Sequence, residues 1–221
     1  MLNKVHNATS PDGALQSKPT MIDTTREYYN NHAQEYFQAT WTVSLKHQWH
    51  TLTRRLRPGA SILDLGCGSG RDLRLFASEG FIAIGVDYSY PLLNLSQQRA
   101  GQPVVLGDLV SLPFADQSFD ATWAIGSLLH VEPVQLPKAL KEIRRVLKPD
   151  GFLFSSMKRG HGTCLDQFGR RSFLYEPEEW GDAVKQAGFC VAELREAVET
   201  RHSATSTTEC IPWIEALIQV V

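Results

Sequence analysis

From Ser61 onward, short apolar runs alternate with stretches whose apolar residues recur at helical spacing. The runs are SILDLG (61–66), FIAIGVD (81–87), PVVLGD (103–108), FDATWAIG (119–126) and GFLFSSM (151–157). Most are rich in β-branched or aromatic residues and apolar on both faces, the pattern of buried parallel strands. Between them, Arg71–Ser78 and Pro133–Leu147 read as helices. In the second, Leu136, Leu140, Ile143 and Leu147 fall on one stripe, with Lys141, Arg144, Arg145 and Lys148 turned elsewhere. Pro133 suits the first turn of that helix, and Pro149, Asp150 and Gly151 stop it. This alternation predicts crossover connections and an α/β fold with a doubly wound parallel sheet.

The two ends depart from that rhythm. Residues 1–20 are polar with almost no apolar periodicity, and read as a flexible leader dispensable for folding. A helix is predicted from Asp23, with Asp23 or Thr24 as N-cap and Tyr28, Tyr36 and Phe37 as bulky positions. A second should span Ser44 to Leu56, stopped by Pro58 and Gly59, so that 23–57 caps a domain of residues 21–221. After a helix at Pro177–Ala187, the runs 189–198 and 210–221 follow without an intervening helix. They predict an antiparallel hairpin appended to the sheet.

Composition narrows the function classes. With 221 residues, 43% of them hydrophobic and 21% charged, the chain can bury the core of one large domain. The formal charge of −2 lacks the basic excess of a polyanion binder. No apolar run approaches the roughly 20 residues that cross a bilayer, and no secretory signal is recognisable. Cys67, Cys164, Cys190 and Cys210 lie far apart, which suits a reducing, cytoplasmic setting and neither a disulfide framework nor a zinc site. His47 and His50 lack a third ligand, so no metal is expected.

The candidate chemistry concentrates in DLGCGSG, Asp64 to Gly70, which follows an apolar strand and opens a helix. Glycines there let a ligand approach the main chain closely. A dinucleotide fingerprint would place its third glycine at position 71, where this chain has Arg71, and no Gly-Lys-Ser/Thr follows. Asp87 ends the second strand, 23 residues after Asp64, where a carboxylate can hold ribose hydroxyls. Asp108 ends the third, 21 residues further, placed for an adenine amino group. The pattern suggests a bound adenosine without a pyrophosphate-adapted loop.

The ordered series ILDLGCGSGR (62–71), VDYS (86–89), GDLVSLPF (107–114), SFD (118–120) and EIRRVLKPDG (142–151) resembles the class I S-adenosylmethionine-dependent methyltransferases. The resemblance implies a Rossmann-like, three-layer fold whose seven strands run in the order 3-2-1-4-5-7-6, strand 7 antiparallel. It also implies S-adenosyl-L-methionine as cofactor. Gly66 and Gly68 would pack against its methionine and ribose portion, with Cys67 between them as a small packed residue. Asp64 would orient the methionine amino group, Asp87 the ribose hydroxyls, and Tyr88 would lie against the adenine. Asp108 and the Leu109 backbone would read the adenine edge, and the Ala124 carbonyl would meet the amino group. Arg71 reads either as a fork onto the methionine carboxylate or as an exposed first-turn arginine.

Within that superfamily, TTREYYNNHAQEY (24–36), SLLHV (127–131), MKRG (157–160), GRRSFLYE (169–176) and PWIEALI (212–218) resemble bacterial small-molecule methyltransferases related to the tellurite-resistance type. His130, just past strand four, reads either as a general base or as a helix-start histidine bonded to backbone. Tyr28, Tyr29 and Tyr36 belong to a helix that in the family folds over the cofactor, and Tyr28 and His130 are the catalytic candidates. Tyr29 reads equally well as aromatic packing. Tyr36, Ser127, His130, Lys158, Arg171 and Tyr175 are candidate acceptor contacts, while the loop cations Lys158, Arg159, Arg170 and Arg171 read either as contacts to an acidic acceptor or, the favoured reading, as solvated charges. AIGSLLH (124–130) stands where base-amino methylating enzymes carry Asn/Asp-Pro-Pro-Tyr/Phe. The expectation is therefore methyl transfer to a small molecule, without nucleic acid or membrane partners, by a monomer or homodimer. A tRNA-modifying relative, a dinucleotide oxidoreductase and a catalytically silent cofactor binder are the alternatives.

Overall fold

The computed structural model describes residues 21–202 and 208–221, with side chains for 24–200 and 210–221. Its strands are β1 (Ser61–Leu65), β2 (Ile82–Asp87), β3 (Val104–Leu106), β4 (Phe119–Ile125), β5 (Leu147–Lys158), β6 (Thr163–Leu165), β7 (Arg171–Phe173), β8 (Phe189–His202) and β9 (Thr208–Val220). Seven of them form one sheet in the order β3-β2-β1-β4-β5-β9-β8. Strands β1 to β5 pair in parallel, and β9 runs antiparallel to both β5 and β8. The expected strand order and the terminal hairpin are both present. The leader and part of the Ser/Thr-rich stretch lie outside the described residues.

The helices are α1 (Met21–Asn31), α2 (Ala33–Thr40), α3 (Lys46–Thr53), α4 (Arg71–Ser78), α5 (Tyr90–Ala100), α6 (Leu136–Val146) and α7 (Pro177–Gln186). Both faces of the sheet are covered. Ile62, Trp123 and Phe154 pack with Leu52 of α3 and Leu73 and Phe76 of α4. Leu63, Leu65 and Val86 pack with Leu136, Leu140 and Ile143 of α6 and Trp180 of α7. Each such fully buried side chain contributes about 1.5–3 kcal/mol of transfer free energy. Among the described residues no helix is long and apolar enough to cross a membrane.

Several boundaries differ from the sequence expectation. Helix α1 already includes Met21, so neither Asp23 nor Thr24 is its N-cap, and the chain breaks at His32 before α2. Helix α3 is shorter than 44–56. Pro133 lies in a turn before α6, and Pro137 takes the first helical turn instead. The Pro149–Gly151 turn lies within β5, as an irregularity with Asp150 at φ 61°. The two-stranded ribbon β6–β7 was not anticipated, because three-residue strands carry too short a pattern to register as alternation.

The turn from β1 into α4 depends on Gly70, which caps the helix at φ 84°. A Cβ there would stand 2.9 Å from Ala100 Cβ and press on the Ser96 hydroxyl of α5. Gly80 has the same φ of 84° but open space around it. Gly80→Ala should therefore cost only the backbone strain, about 1–2 kcal/mol. Gly70→Ala should cost that plus about 1–3 kcal/mol of overpacking. Denaturant unfolding of the two variants checks this, and equal losses would contradict the packing of α5 on the turn.

Candidate active site

Parallel pairing places the carboxyl ends of β1, β2 and β4 side by side, with their loops around one cavity. Leu65 pairs with Val86, so the chain leaving β1 turns across the end of β2. The Val86 carbonyl accepts the N–H groups of Gly66 and Cys67 at 2.8 and 3.0 Å. Asp87 then accepts the Gly68 N–H at one carboxylate oxygen and the Ser89 N–H at the other, both at 2.8 Å. Desolvation pushes the Asp87 carboxyl up, while these amide hydrogens pull it back. Gly66 must be glycine twice over: its φ is 72°, and a Cβ would meet Ser127 Cβ at 2.5 Å.

The cavity is walled by Gly66, Gly68, Asp87, Tyr88, Asp108, Leu109, Ser127 and His130, all singled out in the sequence. Asp108 is fixed by an Asx turn in which it accepts the Val110 N–H at 3.0 Å. The opposite wall comes from α1 and α2, through Thr25, Arg26, Tyr29 and Tyr36. Arg26 lies over the Tyr88 ring at 4.7 Å, joining the N-terminal helix to the end of β2.

Beneath the glycine loop lies a second polar group that does not reach the cavity. Arg71 forks onto Asp72 at 2.8 and 2.7 Å, and the Trp123 indole N–H donates to the same carboxylate at 2.9 Å. The guanidinium is therefore neither an exposed first-turn arginine nor turned toward the cavity. Asp64, buried on this face, is pushed well above the usual carboxylate range by desolvation and by Asp72, with Arg71 opposing. Cys67 is buried here as well, and burial raises its thiol, which opposes any role as nucleophile. Ala124 is buried within β4, and the cavity wall is formed instead by Ile125 and Gly126.

On the acceptor side the structure redistributes the tyrosines. Tyr28 faces away from the cavity, stacking on His32 at 4.6 Å and packing on Phe168 at 5.1 Å. Tyr29 enters it, edge-on to Tyr36 at 5.1 Å, with its hydroxyl 3.2 Å from His130 Nε2. Spacing alone does not separate Tyr28 from Tyr29, because His32 is four residues from both Tyr28 and Tyr36 and the helix breaks there. Burial raises both the Tyr29 and the Tyr36 phenol, so each keeps its proton.

His130 does not keep the near-neutral value expected of an exposed imidazole. Desolvation, with the charges of Arg170 and Lys158, holds it down to about 4. Arg171 reaches His130 through its backbone carbonyl, which accepts from Nδ1, while its side chain lies over Phe173 at 5.6 Å. Lys158 donates to Ser172 at 3.2 Å, and Tyr175 packs on Trp180 at 5.9 Å. None of these three residues is among those that line the cavity. Arg170 is not a solvated loop charge: it reaches the Tyr29 hydroxyl at 3.3 Å.

The donor set suits an adenosine-bearing ligand. A carboxylate anchored by amides faces the cavity, two side-chain-free positions adjoin it, and Ser127 Oγ is buried with no hydrogen-bond partner. Residues 63–155 match the family described as Methyltransferase domain. An uncharacterized protein of Methanocaldococcus jannaschii is 32% identical over 196 residues, 74% of this chain and 75% of that one. The tRNA (carboxymethyluridine(34)-5-O)-methyltransferase of Arabidopsis thaliana is 40% identical over 99 residues, 44% of this chain and only 24% of its own length. The structure of Burkholderia thailandensis 1,6-didemethyltoxoflavin-N1-methyltransferase, with 1,6-didemethyltoxoflavin and S-adenosylhomocysteine bound, shares the fold at a TM-score of 0.71 and 18% identity, covering 96% of this chain and 98% of that one. Sequence, fold and cavity together make this chain a member of the class I S-adenosylmethionine-dependent methyltransferases, with S-adenosylmethionine as its cofactor.

Proposed function

We propose that the cavity transfers a methyl group to a small organic molecule. The observation that carries this reading is the wall that α1 and α2 add across the carboxyl ends of the strands, with the β6–β7 ribbon packed against α1. Tyr29 and Tyr36 thereby line the same cavity as Asp87 and Ser127. A cleft narrowed by these aromatic side chains suits a compact substrate better than a folded polymer. Surface charge supports the same reading, because Arg54, Arg55, Arg145, Lys148, Arg159 and Arg195 are all engaged in ion pairs. A second reading, a tRNA acceptor, draws on the 40% identity to the Arabidopsis enzyme over 99 residues.

In this proposal Asp87 holds the ribose hydroxyls, Gly66 and Gly68 allow close approach, and Tyr88, Asp108 and Leu109 surround the adenine. Asp64 acts from beneath the loop, with Arg71 engaged by Asp72. When bound, S-adenosylmethionine supplies an activated sulfonium methyl for in-line displacement. The protein's task is to hold the acceptor within attack distance and exclude water. Tyr29, Ser127 and His130 form the polar edge of the acceptor end, and Ile125 and Val131 are apolar neighbours there.

Radiolabelled methyl transfer with small-molecule extract and total tRNA offered together should place the label in the small-molecule fraction. Label confined to tRNA would establish the second reading instead. Asp87→Ala removes charge-assisted bonds to the ribose, each worth about 1.5–3 kcal/mol, so affinity for S-adenosylhomocysteine should fall one to two decades or more. Calorimetry measures this, and unchanged affinity would refute the ribose assignment. Because His130 protonates near 4 when folded and near 6.5 when unfolded, the unfolded chain gains a proton first as pH falls. Wild-type stability should therefore drop relative to His130→Gln between pH 6.5 and 4, as read from urea midpoints.

A further inference from the structure

A chain of hydrogen bonds crosses the acceptor end, and every proton in it is assigned by the groups at its two ends. At one end the Arg171 carbonyl can only accept, so His130 Nδ1 carries a hydrogen. The imidazole is neutral, which leaves Nε2 with a bare lone pair. Tyr29, 3.2 Å away, must then donate its hydroxyl hydrogen to Nε2. At the other end Arg170 can only donate, and it does so to the Tyr29 oxygen at 3.3 Å. Arg170 is itself held by Asp166, which accepts from its Nε at 2.7 Å and lies 2.6 Å from Nη2. The same carboxylate accepts the Phe168 and Arg170 amides, so the turn between β6 and β7 is built around it.

Two consequences follow from the direction of these bonds. The Nε2 lone pair is engaged, so His130 can act as a base only by giving up Tyr29. The phenolic oxygen has given one hydrogen and accepted one, which leaves an acceptor position beside the cavity that Tyr29 lines. That position suits a hydrogen on the nucleophile of the incoming substrate.

We propose that Arg170 is a positioning residue which, with His130, fixes the Tyr29 hydroxyl as the hydrogen-bond acceptor for an N–H of the substrate's nucleophilic nitrogen. This rests on the reading that the cavity methylates a small molecule. In the transfer, the nitrogen lone pair forms the bond to the methyl carbon as the carbon–sulfur bond breaks with its electron pair going to sulfur. The surplus proton on nitrogen then leaves to solvent water, as an alkylated nitrogen cation permits and a simple alcohol before attack does not.

The test uses the full chain, tritium-labelled S-adenosylmethionine and the probes aniline and N-methylaniline, with phenol, benzyl alcohol and bulk tRNA as counterparts. Label is expected on a nitrogen probe. Tyr29→Phe and Arg170→Met should each lower kcat/KM for it about tenfold or more, with affinity for S-adenosylhomocysteine within about threefold of wild type. His130→Gln can both accept from Tyr29 and donate to the Arg171 carbonyl, and should recover about tenfold or more of the rate lost in His130→Phe. Glutamine as inactive as phenylalanine would overturn the positioning role, as would a neutral Arg170→Met. Should a variant fail to fold, nitrogen-15 NMR of histidine-labelled wild type decides, since a protonated Nε2 at neutral pH contradicts the chain. Label on oxygen probes alone, or on no probe, overturns the nitrogen assignment while leaving cofactor binding intact. Label in tRNA alone removes the small-molecule reading and this proposal with it.

Discussion

The end of β2 is the constraint on which the site depends. Val86 and Asp87 together accept the amides of Gly66, Cys67 and Gly68, so the loop leaving β1 is built on the neighbouring strand. These amides lie beyond the end of β1, and leaving them unbonded in the turn would be costly. The arrangement makes ligand geometry a consequence of sheet register. A one-residue slip between β1 and β2 would move the Val86 carbonyl and the Asp87 carboxylate away from the loop together.

Charge is handled beneath that loop by grouping it. Asp64, Arg71 and Asp72 lie close together, and the Trp123 indole N–H supplies a further donor. Removing one member of such a buried group strands the others, so the cluster stabilises the loop only as a unit. Asp64 lies in the expected place, yet its surroundings differ from those of an isolated carboxylate at a strand end.

The wall that α1 and α2 add is held by different means. Helix α1 meets the β6–β7 turn through Thr25, which accepts the Arg171 amide at 3.2 Å, and through Tyr28 packed on Phe168. Arg170 lies over the Tyr28 and Tyr29 rings at 4.8 and 5.5 Å. These are side-chain contacts, with no backbone ladder joining α1 to the ribbon among the described residues.

The alternation of strands and helices and the glycine loop with its spaced acids were legible in the sequence because each is a local pattern, whereas the order of the strands followed only from the family resemblance. Burial on both faces leaves continuous apolar runs, and a tight turn demands glycine whatever lies around it. The acceptor end was legible only in part. His130 and Tyr36 line the cavity, but Tyr29 does so rather than Tyr28, and Arg71 is bound to Asp72. Arg170 read as a solvated loop charge because its partners are Asp166, four residues off, and Tyr29, 141 residues away. Local spacing reports which face of an element a residue occupies. What that face meets, and therefore which way each proton points, is decided only when β6 and β7 fold back over α1.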